Sequence, residues 1–318
     1  MAIPYDTTNA GTSVRNALRH SSINVGGSYK HIEDIQVKHA GSWRDTKEVW
    51  VKSGGTWRLV HEGEHFLFKR DLTSNIQAEF NLAGWITGQG YSGNKIKGLL
   101  TVKQNVQHQQ VTLGNFSSDS IVYLRLESGA RIQGRGGDGG NSIGAGVGSG
   151  PNGQNGQRAL YTRTPFIIDN AGMIAGGGGG GDGGNNTYHQ YNQEQSFPCQ
   201  KGETCYTTNQ NQDFKAGGGG GGGAGYPGGS GGNGGSNSYN GKNGNQNTGG
   251  AGGPYAAPGS GSPTSHAGGK GGDAGQNGQN ATGGGSPGNA GTSIDGWNLK
   301  INSLGSGDGD IRGPTANS

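Results

Sequence analysis

The sequence predicts an all-β N-terminal attachment domain followed by a bundle of polyglycine II helices, with essentially no α-helix. Of the 73 glycines in the 318 residues, 59 follow residue 133, and the residues before it read as short alternating strands. Only 28% of the chain is hydrophobic, so one side-chain core cannot extend through the whole length. We therefore expect a β-hairpin region at 1–66, a β-rich domain at 67–133 and a glycine-rich domain at 134–318.

The N-terminal region contains a fourteen-residue repeat. Five residues recur in it: Val37, Lys38, Gly41, Trp43 and Arg44 return as Val51, Lys52, Gly55, Trp57 and Arg58. Each copy is a short alternating run, a glycine turn and a second run led by Trp, which is the pattern of a β-hairpin. We expect Trp43 and Trp57 to occupy equivalent positions in two hairpins that form an attachment surface. A packing module without a partner is the alternative.

The stretch "HEGEH" at 61–65 matches the H-E-x-x-H pattern of zinc proteases. That chemistry needs both histidines on one face of a helix. Gly63 interrupts the stretch and its flanks alternate as strands do, so the sequence predicts a hairpin turn and no metal site. From residue 67 to 133, "IQAEFNLAGWI", "KIKGLLTVKQNV" and "SIVYLRLESGARIQ" read as further strands.

The glycine-rich part shows a period of three. Gly269, Gly272, Gly275 and Gly278 share one phase, as do Gly150, Gly153 and Gly156. Three residues per turn is typical of an extended helix whose N–H and C=O groups point outward, and glycine lets such helices pair through their backbones. A disordered spacer is the alternative. The long interruptions between glycine blocks and the phasing by threes argue against it.

Two cysteines, Cys199 and Cys205, flank a turn in "FPCQKGETC". They are expected to form a disulfide at a loop tip, with two free thiols as the alternative. No CxxC pattern is present, so no metal site is expected.

Three motifs resemble a known family: "FIIDNAGMIAGGGGGGDGG" at 166–184, "GARIQGRGGDGGN" at 129–141 and "GDIRGP" at 309–314. They are similar to the glycine-rich adhesins at the tips of T-even-type bacteriophage long tail fibres. The resemblance covers residue 129 to the C-terminus and does not reach the Trp repeat. It implies a polyglycine II bundle whose variable loops bind an outer-membrane receptor of a Gram-negative host, either a porin-like protein or lipopolysaccharide. It also implies a tail-fibre or tail-tip protein as the partner of the N-terminal domain.

Three loops are candidates for receptor binding: 185–215, 236–248 and 254–266. They carry aromatic residues among Asn, Gln and Ser, which is a recognition composition: Tyr188, Tyr191, Phe197, Tyr206, Tyr239 and Tyr255. The alternative is that these aromatic residues only cap the bundle. Apolar residues in "RTPFIIDNAG" and "IDGWNLKIN" are expected to seal the bundle against the N-terminal domain: Phe166, Ile168, Ile174, Ile294, Trp297 and Ile301.

Several function classes fit poorly. A net charge of +3 without a basic run does not favour nucleic acid as a partner. The sequence has neither a catalytic triad pattern nor a complete phosphate-binding loop, so we expect no enzyme and no cofactor. The first thirty residues lack the apolar segment of a signal peptide, so we expect synthesis in the host cytoplasm. The resemblance implies a place in the virion at the distal tip of a tail fibre or tail. A structural tail component or an ice-binding protein remains the alternative.

Overall fold

The structure, a computed structural model, describes residues 22–25, 28–31, 36–39, 41–45, 48–53, 55–62, 66–142, 150–185, 187–198, 204–215, 217–235, 239–254, 266–281 and 283–318.

Six short strands pair as three antiparallel hairpins. They are β1 (Ser22–Val25) with β2 (Ser28–His31), β3 (Gln36–His39) with β4 (Ser42–Asp45), and β5 (Glu48–Ser53) with β6 (Thr56–Glu62). Trp43 lies opposite Lys38, and Trp57 lies opposite Lys52. The turns contain Gly41 and Gly55 at φ 81° and 80°, a conformation that glycine adopts without steric cost. The predicted equivalence of the two Trp positions is confirmed.

The "HEGEH" stretch does not form a helix at its start. His61 and Glu62 are the last residues of β6, and the next strand begins at Phe66. The zinc-protease arrangement is therefore absent from the described part of this stretch, since its first two residues are extended. Residues 63–65 lie outside the described residues.

From residue 66 to 133 the chain forms six strands and one helix. The strands are β7 (Phe66–Leu72), β8 (Ile76–Asn81), β9 (Ile96–Val102), β10 (Gln107–Gly114), β11 (Ile121–Leu126) and β12 (Arg131–Gln133). The helix α1 (Leu82–Gly88) follows β8 directly. The strand predicted for "IQAEFNLAGWI" is right up to Asn81 and wrong after it. The Asn81 side chain caps the helix by accepting from the Gly84 N–H at 3.1 Å, and Leu82 and Ile86, four residues apart, are both buried.

Later parts of the chain return to the same architecture. The strands are β13 (Leu160–Thr162), β14 (Phe166–Asn170) and β15 (Met173–Ala175), then β18 (Ile294–Asp295), β19 (Lys300–Ser303), β20 (Asp310–Arg312) and β21 (Thr315–Ala316). A short 3-10 helix spans Trp297–Leu299. Strands β16 and β17 belong to the glycine-rich part and are described with the site below.

Two parallel sheets are built from these strands. One has five strands in the order β19-β14-β11-β9-β7. In the other, β8 runs along one side of β10, while β12 and β13 pair with the first and second halves of its other side. That sheet continues through β15 to β20 and through β18 to β21. Because the chain alternates between the two sheets from β7 to β12 and every strand pair in them is parallel, its turns stack as a parallel β-solenoid.

The solenoid has a core of apolar side chains. Leu100 and Leu124 from the five-stranded sheet and Ile132 and Leu160 from the other sheet are at most 1% exposed and belong to one cluster. Phe166, Ile168, Ile174 and Ile294 belong to this same cluster. They therefore fill the solenoid itself, which corrects their predicted role as a seal for the glycine bundle. Trp297 packs partly buried against the cluster, and Ile301 is 55% exposed.

The chain separates into two compact units. The β unit comprises 1–133, 159–175 and 293–318, and the bundle comprises 134–158 and 176–292. The first residue of the bundle is 134. The assignment of all of 134–318 to one domain is wrong, because β13 to β15 and β18 to β21 pair with strands of the β unit. The division predicted at residue 66 remains a prediction.

The described part of the bundle consists of ten segments that run alternately in opposite directions. They are 134–142, 150–158, 176–185, 217–225, 228–235, 239–245, 249–254, 266–273, 276–281 and 284–292. Apart from turns, these segments have neither helical nor strand pairing, and their backbones hydrogen-bond to one another.

The central segment, 217–225, has six neighbours. Its N–H groups donate at 2.8–3.2 Å to carbonyls of three segments, and every third residue donates to the same segment. Residues 220 and 223 donate to Gly140 and Gly137. Residues 218, 221 and 224 donate to His266, Gly269 and Gly272, and residues 219, 222 and 225 donate to Tyr239, Lys242 and Asn245. Its carbonyls accept from three further segments in the same repeat: from 178, 181 and 184, from 229, 232 and 235, and from 250 and 253. The glycine phasing in the sequence thus corresponds to contacts with successive neighbours.

Glycine is required at the inner positions because backbones occupy the space of a side chain. A Cβ on Gly219 would overlap the Gly232 carbonyl, and one on Gly220 would overlap the Gly181 carbonyl. The interior of the bundle is therefore made of peptide groups. Ordering this much glycine is entropically costly, and the shared hydrogen bonds offset that cost only when many segments assemble together.

Candidate functional site

The two ends of the bundle differ in how the chain connects the segments. At one end, the stem end, lie residues 134, 158, 176 and 292, where the chain enters and leaves the bundle, and three short connections at 225–228, 245–248 and 273–276. At the other, the loop end, the chain leaves the described segments after 142, 185, 235, 254 and 281. The backbone pairing fixes this assignment, since Gly137 pairs with Gly178 and Gly223, and Gly140 with Gly181 and Gly220.

Two turns at the stem end, 245–248 and 273–276, are tight and locally bonded. The Asn245 N–H donates to the Thr248 carbonyl at 2.9 Å, and the Asn245 side chain accepts from the Asn247 and Thr248 N–H groups at 2.8 Å. The Gln276 N–H donates to the Asp273 carbonyl at 2.8 Å. Such Asx turns satisfy their own backbone groups and leave little chain to make other contacts.

The longest insertion at the loop end is a β-hairpin. Strand β16 (Thr187–Pro198) pairs antiparallel with β17 (Thr204–Lys215) through twelve residue pairs, from Thr187↔Lys215 to Pro198↔Thr204. Twelve residues per strand span about 40 Å at the usual rise of an extended chain. The sequence predicted this segment as a loop; residues 187–198 and 204–215 form an antiparallel pair of strands.

The predicted aromatic residues of the hairpin lie on both of its strands. In the register of the two strands, Tyr188 pairs with Phe214, Tyr191 pairs with Asn211, and Tyr206 pairs with Ser196. Cys205 lies opposite Phe197. Cys199 lies outside the described residues, so the predicted disulfide remains a prediction.

Tyr239 begins a bundle segment at the loop end. Its carbonyl accepts from the Gly219 N–H at 3.1 Å, and the residue is 62% exposed. This corrects the predicted loop 236–248, because residues 239–245 form a bundle segment and the turn at 245–248 lies at the stem end. Tyr255 and most of the predicted loop 254–266 lie outside the described residues.

A set of Asn and Asp side chains was missed by the sequence reasoning. Asp138 and Asn141, three residues apart, accept at 2.8 Å from the N–H groups of Ser230 and Asn233. The same spacing recurs in other pairs: Asn243 and Asn240 accept from Gly231 and Gly234, and Asn152 and Asn155 accept from Ser286 and Asn289. These side chains replace the missing backbone partner at edges of the bundle. The signal was present in the sequence as Asn or Asp at intervals of three beside glycine.

One carboxylate of the bundle is fully buried. Asp182 accepts from the Ala281 N–H through Oδ1, whereas its Oδ2 has no hydrogen-bond partner. Burial in the glycine lattice raises the pKa of this carboxyl, and the bond from Ala281 offsets that only in part.

A buried histidine lies in the β unit. Burial penalises its cation and lowers the pKa of His108, neither of whose ring nitrogens is hydrogen-bonded.

Among the described residues, no helix is long and apolar enough to cross a membrane. Over the same part of the chain, no group of three or more His, Cys, Asp or Glu side chains could hold a metal ion. A groove with a volume of about 290 Å³ lies in the β unit, between Arg125, Glu127 and Asp169.

The chain was compared with known proteins. The sequence profile described as "Phage tail fibre adhesin Gp38" matches residues 67–316, more than three quarters of the chain. Among solved structures, the crystal structure of the gp37-gp38 adhesin tip complex of the bacteriophage S16 long tail fiber matches with 21% sequence identity and a TM-score of 0.41, covering 77% of this chain and 81% of that one. Comparison with curated protein sequences found no match.

Proposed function

Because the chain belongs to the phage tail fibre adhesin Gp38 family, we propose that it recognises a receptor on the bacterial outer membrane through the loop end of its glycine bundle. The chain is a tail-fibre adhesin of a bacteriophage. The proposed receptor is a porin-like outer-membrane protein or lipopolysaccharide. A binding role agrees with the family and requires no catalytic groups.

The asymmetry between the two ends of the bundle supports this proposal. Apart from residues 159–175, which belong to the β unit, the long insertions between glycine segments leave the bundle at the loop end, whereas the other stem-end connections are turns of about four residues. The hairpin β16–β17 and the exposed Tyr239 belong to the loop end. Binding residues are commonly carried on connections that a rigid scaffold positions, and tyrosine beside Asn, Gln and Ser suits such a surface.

We further propose that the bundle segments adopt the polyglycine II conformation. The repeat of three residues and the six neighbours of the central segment support this assignment, since a helix with three residues per turn directs successive peptide groups to different neighbours. A scaffold of this kind places few demands on the sequence of its loops, because the loops contribute no side chains to its core. Host range can then change by changes in loop sequence alone.

The N-terminal hairpin repeat is proposed to join a tail-fibre or tail-tip protein. It precedes residue 67, where the match to the adhesin family begins, so it is distinct from the shared adhesin part. Trp43 and Trp57 occupy matched positions in two hairpins, which favours one repeated mode of contact. Replacing both by serine should abolish capture of the tail-fibre protein from phage particles that lack the adhesin, while cell binding by the free adhesin persists.

The cysteines are proposed to staple the tip of the hairpin. Cys205 is in the second residue pair from the end of the ribbon, and Cys199 follows the last residue of the other strand. A bond there would restrict the chain between the two strands and reduce the entropy lost on receptor binding. Mass analysis of non-reduced peptides should find residues 199 and 205 linked; two freely alkylated thiols would contradict the proposal.

Adsorption to defined host mutants tests the receptor. Labelled adhesin is incubated with Gram-negative strains that lack single porins or carry truncated lipopolysaccharide, and loss of binding in one mutant class identifies the receptor class. Tyr239→Ser and Tyr206→Ser should weaken binding to the parent strain at least about tenfold, since aromatic anchors commonly contribute 2 kcal/mol or more.

Lys242→Ser is the matched control. Lys242 is exposed on the same segment as Tyr239, three residues nearer the stem end, so its replacement should leave adsorption unchanged. Equal binding by all variants, or binding to no strain, would favour a structural tail component over a receptor-binding protein. Inhibition of ice growth instead of cell binding would favour the ice-binding alternative.

A further inference from the structure

Three aspartates occupy corresponding places in the bundle. Asp138, Asp182 and Asp273 each follow two glycines, and "GGDGGN" occurs both at 136–141 and at 180–185. Each of them accepts a backbone N–H from an adjacent segment: Asp138 from Ser230, Asp182 from Ala281 and Asp273 from Gly249. The three carboxyls thus make the same kind of bond to the lattice.

Their counter-ions differ. Asp138 pairs with Arg135 at 3.0 Å, and Asp273 pairs with Lys270 at 3.2 Å, in each case a cation three residues earlier. The corresponding residue before Asp182 is Gly179. In the described structure Asp182 makes no ion pair, is fully buried and leaves Oδ2 without a partner. The lattice therefore neutralises two of these carboxylates and isolates the third.

Asp182 is placed where the loop end is closed. On the same side of its segment, Gly176 and Gly179 lie against the carbonyls of Gly291 and Gly288, so a side chain fits at neither. Asp182 comes one repeat later, where the neighbouring chain turns between Ala281 and Gly284. Its Oδ1 accepts from Ala281, and its Oδ2 lies where a side chain on Gly284 would be. The carboxyl occupies the space that this turn leaves.

Asn185, three residues after Asp182, makes a similar contact with a second connection of the loop end. Asn185 accepts from the Gly150 N–H at 3.1 Å, at the point where the chain re-enters the bundle after residue 142. Residues 182 and 185 therefore hold the 281–284 turn and the start of the 150–158 segment. Their own segment continues directly into strand β16 of the hairpin. Three connections of the loop end meet at these two side chains.

We propose that Asp182 is a positioning residue that holds the loop end most firmly when its carboxyl is protonated, so that the order of this end, and with it receptor binding, depends on pH. The proposal rests on the proposed function only for the step from order to receptor binding. In the described part of the chain no charged side chain pairs with Asp182: the turn presents Ala281 and Gly284, and the 266–273 segment presents Gly269, with Lys270 bound to Asp273. A titratable side chain also reaches this turn, because the ring of His266 lies against Gly283.

The direction of the pH dependence follows from the isolation of the carboxyl. In the unfolded chain Asp182 ionises at the ordinary value of about 3.9. In the bundle its pKa is raised by burial. The folded state thus binds the proton more strongly, and the stability of the loop end is fully present below the ordinary value. This stability falls as pH rises from the ordinary pKa to the raised pKa of the folded state, and it is constant above the raised pKa.

Hydrogen exchange against pH tests the positioning role. In the parent protein, exchange of residues 150–158 and 281–292, corrected for the intrinsic rate, should accelerate as pH rises through this window. The acceleration is about tenfold for each unit by which the folded pKa exceeds the ordinary one. Asp182→Asn keeps the Oδ1 acceptor and cannot ionise, so its corrected exchange should not vary with pH. Asp138→Asn, which loses the Arg135 pair instead, should keep the dependence of the parent.

Two further measurements keep the proposal open to refutation. Carbon-13 titration of the aspartate carboxyls in the parent protein reports the pKa of Asp182 directly, and a value at or below the ordinary one would overturn the proposal even if the Asn variant failed to fold. Equal pH dependence in Asp182→Asn and the parent would overturn it as well. Cell binding of the two proteins across the same pH range separates the steps: pH-dependent order with pH-independent adsorption would sustain the positioning role and contradict receptor binding at the loop end.

Discussion

The β unit and the glycine bundle differ in the kind of atoms that they bury. In the β unit, apolar side chains such as Leu100, Leu124 and Phe166 are removed from water between two parallel sheets. In the bundle, the buried atoms are peptide groups, and a central segment shares its hydrogen bonds among six neighbours. A side-chain core tolerates changes in shape because its atoms can repack, whereas a backbone core has no atoms to exchange. The two units should therefore respond differently to substitution.

The largest difference is expected for an added side chain in the bundle. Gly219→Val would place a branched side chain against the Gly232 carbonyl, where backbone atoms cannot withdraw without breaking bonds in several segments. We expect a loss of more than about 3 kcal/mol and failure of the bundle to assemble. Thermal unfolding followed by calorimetry measures it. Gly88→Ala, at a position with open space around it, is the control, and a stable Gly219→Val protein would show that the segments are spacers.

A removed side chain in the β unit should cost less and act locally. Leu124 is 1% exposed in the centre of the five-stranded sheet. Leu124→Ala should cost about 2–5 kcal/mol through lost burial and the cavity left behind. Urea unfolding monitored by the tryptophans of the β unit measures this loss. Protection of the bundle amides from hydrogen exchange should remain at the parent level, and its loss would mean that the two units unfold together.

The two units should also respond to pH in opposite directions. His108 lies in register between Ile76 and Ile132, and the other groups near its ring are Phe80, Arg70 and the Ser74 carbonyl. Its folded pKa lies below the ordinary value of about 6.5, chiefly because burial penalises the cation. The unfolded chain therefore binds the proton more strongly, and the stability of the β unit falls as pH decreases through that window.

His108→Leu should remove this dependence. It should also stabilise the β unit by about 1–3 kcal/mol at neutral pH, because it removes buried nitrogens that have no partner. Unfolding of parent and variant in urea between pH 4 and pH 8 measures both effects. A β unit that gains stability on acidification would contradict the assignment, whereas such a gain is what Asp182 predicts for the bundle.

The smallest effect is expected at the edge of the bundle. Asn243 accepts from the Gly231 N–H at 2.8 Å from an exposed position. Asn243→Ala should cost about 0.5–1.5 kcal/mol, the usual net value of one hydrogen bond, because water can replace the lost acceptor. Calorimetry of the purified variant measures it, with Lys242→Ala as the neighbour control. A loss as large as that of Gly219→Val would mean that the edge bonds, and not the glycine contacts, hold the segments together.

Elements whose partners are close in sequence were predicted well. The fourteen-residue repeat led to two hairpins with Trp43 and Trp57 in matched places, since a hairpin register depends on its own turn. Helix α1 was missed because Leu82 and Ile86 follow a strand without an interruption, and only the Asn81 cap marks the change. The mixed membership of 134–318 was also missed, since β13 and β18 pair with strands distant in sequence.

Within the site, the sequence indicated the hairpin aromatics and Tyr239 but not which end each connection occupies. The turn at 245–248 has the same polar composition as the loop-end segments, and only the pairing of its segment with the central one assigns it to the stem end. The special place of Asp182 was equally hidden, because "GGDGGN" reads identically at 136–141 and 180–185.

The sequence by itself determined what local chemistry decides: a chain too poor in apolar residues for one core, glycines phased by three and hairpins with glycine turns. These follow from steric and hydrogen-bonding preferences of neighbouring residues. The tertiary structure alone decided which glycine segments are neighbours, which insertions share an end and which carboxyl lacks a counter-ion. Those features depend on contacts between residues far apart in the chain, and identical peptide groups carry no sequence signal that specifies their partners.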